Sequence, residues 1–227
     1  MANFNTHIAA GAVASGLGAT TAVVTGISPM TELATLVFAG VIGSILPDID
    51  QDKGTPLHFL FGVLGIGAAF GTVLNLGWLP WWELPLIWCT TFVGVSFGLI
   101  HVFTRYTAHR GIWHSVLAAL LFAAVTVAVL SAVFGKAPTV SWLAGAFMAG
   151  GYLVHLTLDE IYSIDIHGRR IKKSFGTALK LWDYRSPVNS AIMAAAVLGL
   201  LLSLAPSPMP LVSAVHASQS NQHWAAK

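Results

Sequence analysis

Seven long apolar stretches constrain the fold of this chain more than any other feature of its sequence. A helix needs about 20 mostly apolar residues to cross the hydrocarbon core of a bilayer. Charged residues make up 9% of the sequence, whereas a soluble domain carries about a quarter. The sequence therefore predicts an all-α fold, a polytopic transmembrane helical bundle with about seven spans.

The predicted spans lie at roughly 7–26, 31–47, 57–76, 84–103, 113–134, 141–159 and 188–205. We expect residues 1–206 to form one transmembrane domain and the polar residues 207–227 to form a flexible C-terminal tail. The lone cysteine, Cys89, excludes an intramolecular disulfide and a cysteine-based zinc cluster. A net charge of +2 is too small to indicate a nucleic-acid partner, so membrane lipids are the expected partners.

The distribution of Lys and Arg predicts the orientation of the bundle. Nine of these eleven residues fall in the loops after the second, fourth and sixth spans: Lys53, Arg105, Arg110, Arg169, Arg170, Lys172, Lys173, Lys180 and Arg185. Cytoplasmic loops carry an excess of Lys and Arg. We therefore expect these loops and the N-terminus in the cytoplasm, and the C-terminus outside.

On this topology, most of the histidines and several aspartates meet at one membrane face. They are spread over about 150 positions, yet each lies at or beside the cytoplasmic end of a span: His7, Asp48, Asp50, His58, His101, His109, His114, His155 and Asp159. This topology depends on the positions of Lys and Arg alone. The gathering is therefore independent support for a functional site.

Two motifs supply carboxylates to this face. In HLTLD, His155 and Asp159 stand at i and i+4, so they share one face of a helix and could hold the same metal ion. In LPDID, Asp48 and Asp50 follow the end of a span at Pro47. An ideal strand would send these two carboxylates to opposite faces, but a loop could let them converge.

The stretch TAHRGIWHS supplies two further imidazoles. On one continuous helix, His109 and His114 would point well away from each other, because residues five apart differ by about 140°. Gly111 offers a break, with His109 in a loop and His114 on the first turn of the next helix. Imidazole together with carboxylate favours Zn, with Mn or Fe as alternatives, over Ca or Mg.

Each motif taken alone also has a structural explanation. HxxxD on a helix is more often a hydrogen-bonded pair, DIDQD could be a solvated loop, and TAHRGIWHS could be an interfacial anchor. On the residues alone, His58 and His101 are better explained as structural. The joint pattern on one face favours a divalent-metal site.

The order of the motifs THIAAG, LPDID, HRGIWHS and HLTLD resembles the YdjM family, over about residues 5–205. These bacterial inner-membrane proteins are described as membrane-bound metal-dependent hydrolases. The resemblance implies a multi-pass protein of the inner membrane with a polar signature at His7, Asp48, His109, His114, His155 and Asp159.

The motif order is also similar, more distantly, to the helical zinc hydrolases of the phospholipase C and nuclease P1 group. That similarity implies that His58 joins the metal ligands. The group carries an earlier HxxxD whose aspartate bridges two metals, whereas here Arg105 stands four residues after His101. The departure favours one or two ions over three.

These observations predict a metal-dependent hydrolase of phosphoester bonds, with a lipid or lipid-linked substrate at the cytoplasmic face. The metal would lower the pKa of a bound water. Asp50, or else Asp52, would accept a proton as catalytic base, and Arg110 would pair with the phosphate. The alternatives are a metal ion or proton transporter, and a non-enzymatic membrane protein braced by a structural metal.

Overall fold

The computed structural model describes residues 3–50, 55–101, 112–165, 170–171, 176 and 179–225. Its α-helices are α1 (Phe4–Val24), α2 (Leu33–Gly43), α3 (Thr55–Asn75), α4 (Leu84–Val93), α5 (Val116–Ala132), α6 (Pro138–Ile161), α7 (Pro187–Ser203) and α8 (Met209–Ala225). Short 3₁₀ helices span Met30–Glu32 and Leu46–Asp50, and a π-helix, Gly94–Leu99, continues α4. Two two-residue strands, β1 (Ile164–Asp165) and β2 (Arg170–Ile171), pair antiparallel. The predicted helical fold is confirmed apart from this short ladder.

Each predicted span overlaps an observed helix, but the helices differ in length. Among the described residues, three are long and apolar enough to cross a bilayer: Phe4–Val24, Met30–Asp48 and Pro138–Ile161. Four shorter apolar helices cover Phe61–Asn75, Leu84–Leu99, Val116–Ala132 and Pro187–Ser203. That the chain crosses the membrane seven times therefore stays a prediction.

The chain forms two compact units. The first comprises Met1–Pro47 and Ile112–Lys227, and the second comprises Asp48–Gly111. In the first unit, α6 packs against α1, α2, α5 and α8, while α5 also packs against α7. The prediction of one domain over residues 1–206 is not decided by this grouping and stays a prediction.

Helices α2 and α6 approach each other closely because glycines line their crossing. A Cβ atom at Gly151 would overlap the carbonyl oxygen of Gly40 and lie 3.0 Å from the backbone nitrogen of Ser44. A Cβ atom at Gly43 would lie 3.1 Å from the backbone nitrogen of Tyr152. Small residues of this kind let membrane helices pack backbone against backbone. The crossing brings the last turns of α6 beside the end of α2.

The second unit is built from α3, α4 and the π-helix. The hydroxyl of Ser96, on the π-helix, donates to the carbonyl oxygen of Phe61 on α3 at 3.2 Å. A Cβ at Gly65 would lie 3.2 Å from the ring of Phe92. Helix α3 thus packs against α4 and the π-helix through the close contact at Gly65 and the buried hydroxyl of Ser96.

The segment predicted to be a flexible tail contains helix α8. Pro210 lies in its first turn, where the missing N–H of proline costs no helical hydrogen bond. The indole Nε1–H of Trp142, on α6, donates to the carbonyl oxygen of Pro206 at 2.8 Å, just before this helix. The flexibility of residues 207–227 stays a prediction.

Candidate metal centre

Local capping places two histidines at helix starts. Asn3 caps α1, since its side-chain oxygen accepts from the backbone N–H of Thr6 at 2.8 Å, and His7 follows in the next position. Ser115 caps α5 by accepting from the backbone N–H of Ala118 at 3.2 Å. His114, expected on the first turn of this helix, lies instead directly before the cap. Both caps are residue types that favour the position.

The end of α6 supplies a buried imidazole and a buried carboxylate. His155 is 0% exposed and Asp159 is 4% exposed. Their side chains meet as the i, i+4 spacing predicts, with 3.6 Å between His155 Nε2 and Asp159 Oδ2. Burial of two ionisable groups within an apolar bundle is costly, which makes a functional role the default explanation.

The carbonyl oxygen of Ser44, at the end of α2, orients His155. It lies 2.7 Å from His155 Nδ1. A carbonyl can only accept a hydrogen bond, so Nδ1 carries the proton and the lone pair of the neutral ring is on Nε2. Metal-binding histidines are held in this way by an outer hydrogen bond.

His7 and His114 complete a ring of imidazoles around Asp159. His7 Nε2 lies 3.3 Å from Asp159 Oδ1, and His114 Nε2 lies 3.9 Å from Asp159 Oδ2. The rings of His7 and His155 are stacked, with centroids 3.6 Å apart and an interplanar angle of 10°. Three buried histidines thus face one buried carboxylate.

These separations fit atoms that share a metal ion. Two ligand atoms bound at about 2.0–2.1 Å with a tetrahedral angle between them lie about 3.3 Å apart. The nitrogen–oxygen distances around Asp159 run from 3.3 to 3.9 Å. The imidazole nitrogens around Asp159 are therefore spaced from its oxygens as ligands of a divalent cation are.

Among the described residues, Asp48, His114, His155 and Asp159 form a group that could hold a metal ion. Each is buried, and one ligand atom from each lies within 4.8 Å of the others. Asp48 directly follows Pro47, within the 3₁₀ helix Leu46–Asp50. Four of the predicted ligands therefore come together, whereas the identity of the ion stays open.

Other predicted site residues have different positions. His58 is exposed on α3 of the second unit, and its ligand role stays a prediction. The backbone of Asp50 ends the 3₁₀ helix, but its side chain lies outside the described part of the chain. His109 and Arg110, together with Asp52, also lie outside the described residues.

Two residues that support the centre carry no metal-ligand signal in the sequence. Ser44 acts through its backbone carbonyl, which any residue type would offer. Tyr152, three residues before His155 and 0% exposed, donates its hydroxyl hydrogen to the carbonyl oxygen of Trp113. That contact holds the residue preceding His114. The one sequence signal for Tyr152 is its spacing: it is a polar residue three positions before His155, on the same face of the helix.

Comparison with protein families finds a match over most of the chain. A family model described as YdjM inner membrane protein matches residues 1–202. The chain belongs to the YdjM inner membrane protein family. None of the curated proteins or solved structures matches it significantly.

Membership of the YdjM family makes the apolar helices those of an inner-membrane protein. Large apolar side chains on their outer surfaces, such as Leu17 and Leu202, are exposed and suited to lipid. The resemblance drawn from the motifs is thereby confirmed for the YdjM family. The more distant similarity to the phospholipase C and nuclease P1 group has no support from these comparisons.

Proposed function

We propose that this chain is a membrane-bound, metal-dependent hydrolase that cleaves phosphoester bonds in a lipid or lipid-linked substrate. The buried group around Asp159 carries the proposal, because its histidines and carboxylates are donors suited to Zn, Mn or Fe. Buried ionisable side chains are energetically unfavourable within an apolar bundle, so their presence indicates a functional role. The phosphoester itself is suggested by the distant motif similarity alone.

In this proposal each residue has one role. His114, His155 and Asp159, with Asp48, hold the ion, and the Ser44 carbonyl keeps the His155 lone pair on Nε2. A bound metal of this kind lowers the pKa of water and polarises a phosphoryl oxygen. Asp50 accepts a proton, and Arg110 pairs with the phosphate through its guanidinium fork.

The proposed membrane arrangement has seven crossings, a cytoplasmic N-terminus and the metal site at the cytoplasmic face. Nine of the eleven Lys and Arg residues lie in the three loops assigned to that face, which supports the orientation. Helices of 17 residues, such as α5 and α7, are near the lower limit of about 17 residues for a crossing. Labelling of single cysteines introduced at residues 2 and 226 would test this orientation. In sealed cells, we expect a cysteine at residue 2 to be protected from the reagent and a cysteine at residue 226 to react.

Metal content of the detergent-purified protein tests the site. We expect stoichiometric Zn, Mn or Fe by elemental mass spectrometry, and its loss in Asp159→Asn, which keeps the size of the side chain. His216→Ala is the matched control, because His216 is an exposed histidine on α8. Absence of metal from the wild type, even after loading, would refute the proposal.

Hydrolysis is tested in mixed micelles of phospholipid and detergent. Release of diacylglycerol from phosphatidylglycerol, without inorganic phosphate, would indicate cleavage of the diester. Release of inorganic phosphate and diacylglycerol from phosphatidic acid would indicate cleavage of a monoester. We expect one of these activities in the metal-loaded protein, and none in Asp159→Asn. A metal-loaded protein inactive on both would contradict phospholipids as the substrate.

One observation favours a second candidate, a structural metal. The four ligand-type side chains are all buried, and four protein ligands would close the shell of a tetrahedral zinc, as in structural sites. Co²⁺ substitution separates the candidates. A visible spectrum that changes on adding azide indicates an open position and favours catalysis, whereas an unchanged spectrum favours the structural role.

A further inference from the structure

The two oxygens of Asp159 face different imidazoles. Oδ2 lies 3.6 Å from His155 Nε2 and 3.9 Å from His114 Nε2. Oδ1 lies 3.3 Å from His7 Nε2 instead. A carboxylate that presents each oxygen to a separate set of nitrogens has the geometry to bind two cations, one on each side.

His7 borders the group formed by Asp48, His114, His155 and Asp159 but is not a member of it. It is 1% exposed, yet among the described residues no hydrogen-bond partner is found for either of its ring nitrogens. Its Nε2 is near Asp159 Oδ1 but outside hydrogen-bond geometry. A buried polar group without a hydrogen bond is destabilising, so a bound cation near His7 Nε2 would supply the missing partner.

The group whose ligand atoms all lie within 4.8 Å of one another includes Asp159 and excludes His7. Ligands of a single ion bound at about 2.1 Å can be no more than about 4.2 Å apart. The imidazole of His7 is therefore better placed for a second ion than for the first. Its stacking on His155 keeps the Nε2 atom beside Asp159 Oδ1.

We propose that Asp159 bridges two divalent cations and that His7 is a ligand of the second. The proposal rests on the metal site of the proposed function and adds a second ion to it. The first ion is held on the Oδ2 side by His155 and His114, and the second on the Oδ1 side by His7. Among the described residues, His7 and Asp159 are the protein ligands assigned to the second ion. Two such ligands would leave that ion open to water and to a phosphate oxygen, which a closed four-ligand site would not allow.

Zinc stoichiometry tests this directly. Apo-protein in detergent is loaded with Zn²⁺, desalted, and measured by elemental mass spectrometry beside His7→Phe and the control His216→Ala. Phenylalanine keeps an aromatic ring stacked on His155 but offers no ligand nitrogen. We expect two zinc ions per chain in the wild type and in the control, and one in His7→Phe.

Other stoichiometries have distinct meanings. One ion in both the wild type and His7→Phe would overturn the second site and leave the proposed function standing. Two ions in both would overturn the role of His7. No ion in the wild type would overturn the proposed function and this inference together.

A spectroscopic measurement on the wild type does not depend on any variant folding. Two Mn²⁺ ions bridged by one carboxylate are magnetically coupled, so their electron paramagnetic resonance spectrum differs from that of isolated Mn²⁺. We expect the coupled spectrum at two equivalents of Mn²⁺. A spectrum of isolated ions alone would overturn the bridge, even if His7→Phe fails to fold. His7→Gln, which keeps a polar side chain, should restore folding without the second ion.

Discussion

Replacing Gly151 by alanine should force α2 and α6 apart, because the new methyl group has no space at their crossing. The Cβ would overlap the carbonyl oxygen of Gly40 and lie 2.8 Å from its carbonyl carbon, whereas ordinary van der Waals contacts are 3.4–4 Å. The atoms it meets belong to the backbone of α2. The helix as a whole must therefore move by more than half an ångström.

Two magnitudes follow from this displacement. Overpacking of this kind costs about 1–3 kcal/mol of unfolding free energy. The carbonyl of Ser44, which accepts from His155 Nδ1 at 2.7 Å, moves with α2. Loss of such an outer partner typically lowers metal affinity by about 10–100-fold, so we expect a loss within this range.

Gly150→Ala is the matched control, since a Cβ at Gly150 has no atom within 4 Å. Alanine in a helix is favoured over glycine by about 0.5–1 kcal/mol, so this variant should be as stable as the wild type or more so. Unfolding is followed by circular dichroism against SDS mole fraction, and metal affinity by competition with a chromogenic chelator. Equal stability and equal affinity of the two variants would refute the close-packing argument.

Three further changes test other contacts. Ser115→Ala removes the cap of α5 and should lower the unfolding free energy by about 1 kcal/mol. Ser115→Asp should retain most of the stability, because aspartate also caps helices. An alanine variant as stable as the wild type would contradict the cap. Lys136 Nζ lies 2.7 Å from Glu32 Oε1, and both side chains are partly exposed. A double-mutant cycle of Lys136→Met with Glu32→Gln should therefore give a coupling free energy of about 0.2–1 kcal/mol. Zero coupling would show that the pair adds nothing. Trp142→Phe removes the hydrogen bond to Pro206, worth about 1 kcal/mol, and should speed proteolysis before α8 roughly fivefold; an unchanged rate would contradict this anchor.

The part of the site that could be predicted is the part that depends on local geometry. The pairing of His155 with Asp159 follows from their i, i+4 spacing on a helix, and the observed contact has that form. His114 was expected on the first turn of α5, but it lies one residue before the cap, because the helix begins only after Ser115. The prediction that Asp48 joins them needed the alternation of spans as well, and it agrees with the buried four-residue group.

Other features of the site could not be predicted because they depend on packing between distant segments. The carbonyl that orients His155 comes from Ser44, 111 residues earlier in the chain, and a backbone carbonyl has no signature in a sequence. The stacking of His7 on His155 likewise joins α1 to α6. Neither contact changes the hydrophobic pattern or the capping of its own helix.

The amino-acid sequence by itself determined the helical class, the approximate helix positions and the location of the polar residues at helix ends. These properties follow from the long apolar stretches and from the polar residues that border them, both of which are local features of the sequence. The tertiary structure alone decided which imidazole faces which oxygen of Asp159. The physical reason is that these distances depend on how closely helices approach, and that approach is controlled by a few glycine contacts such as that of Gly151 with Gly40.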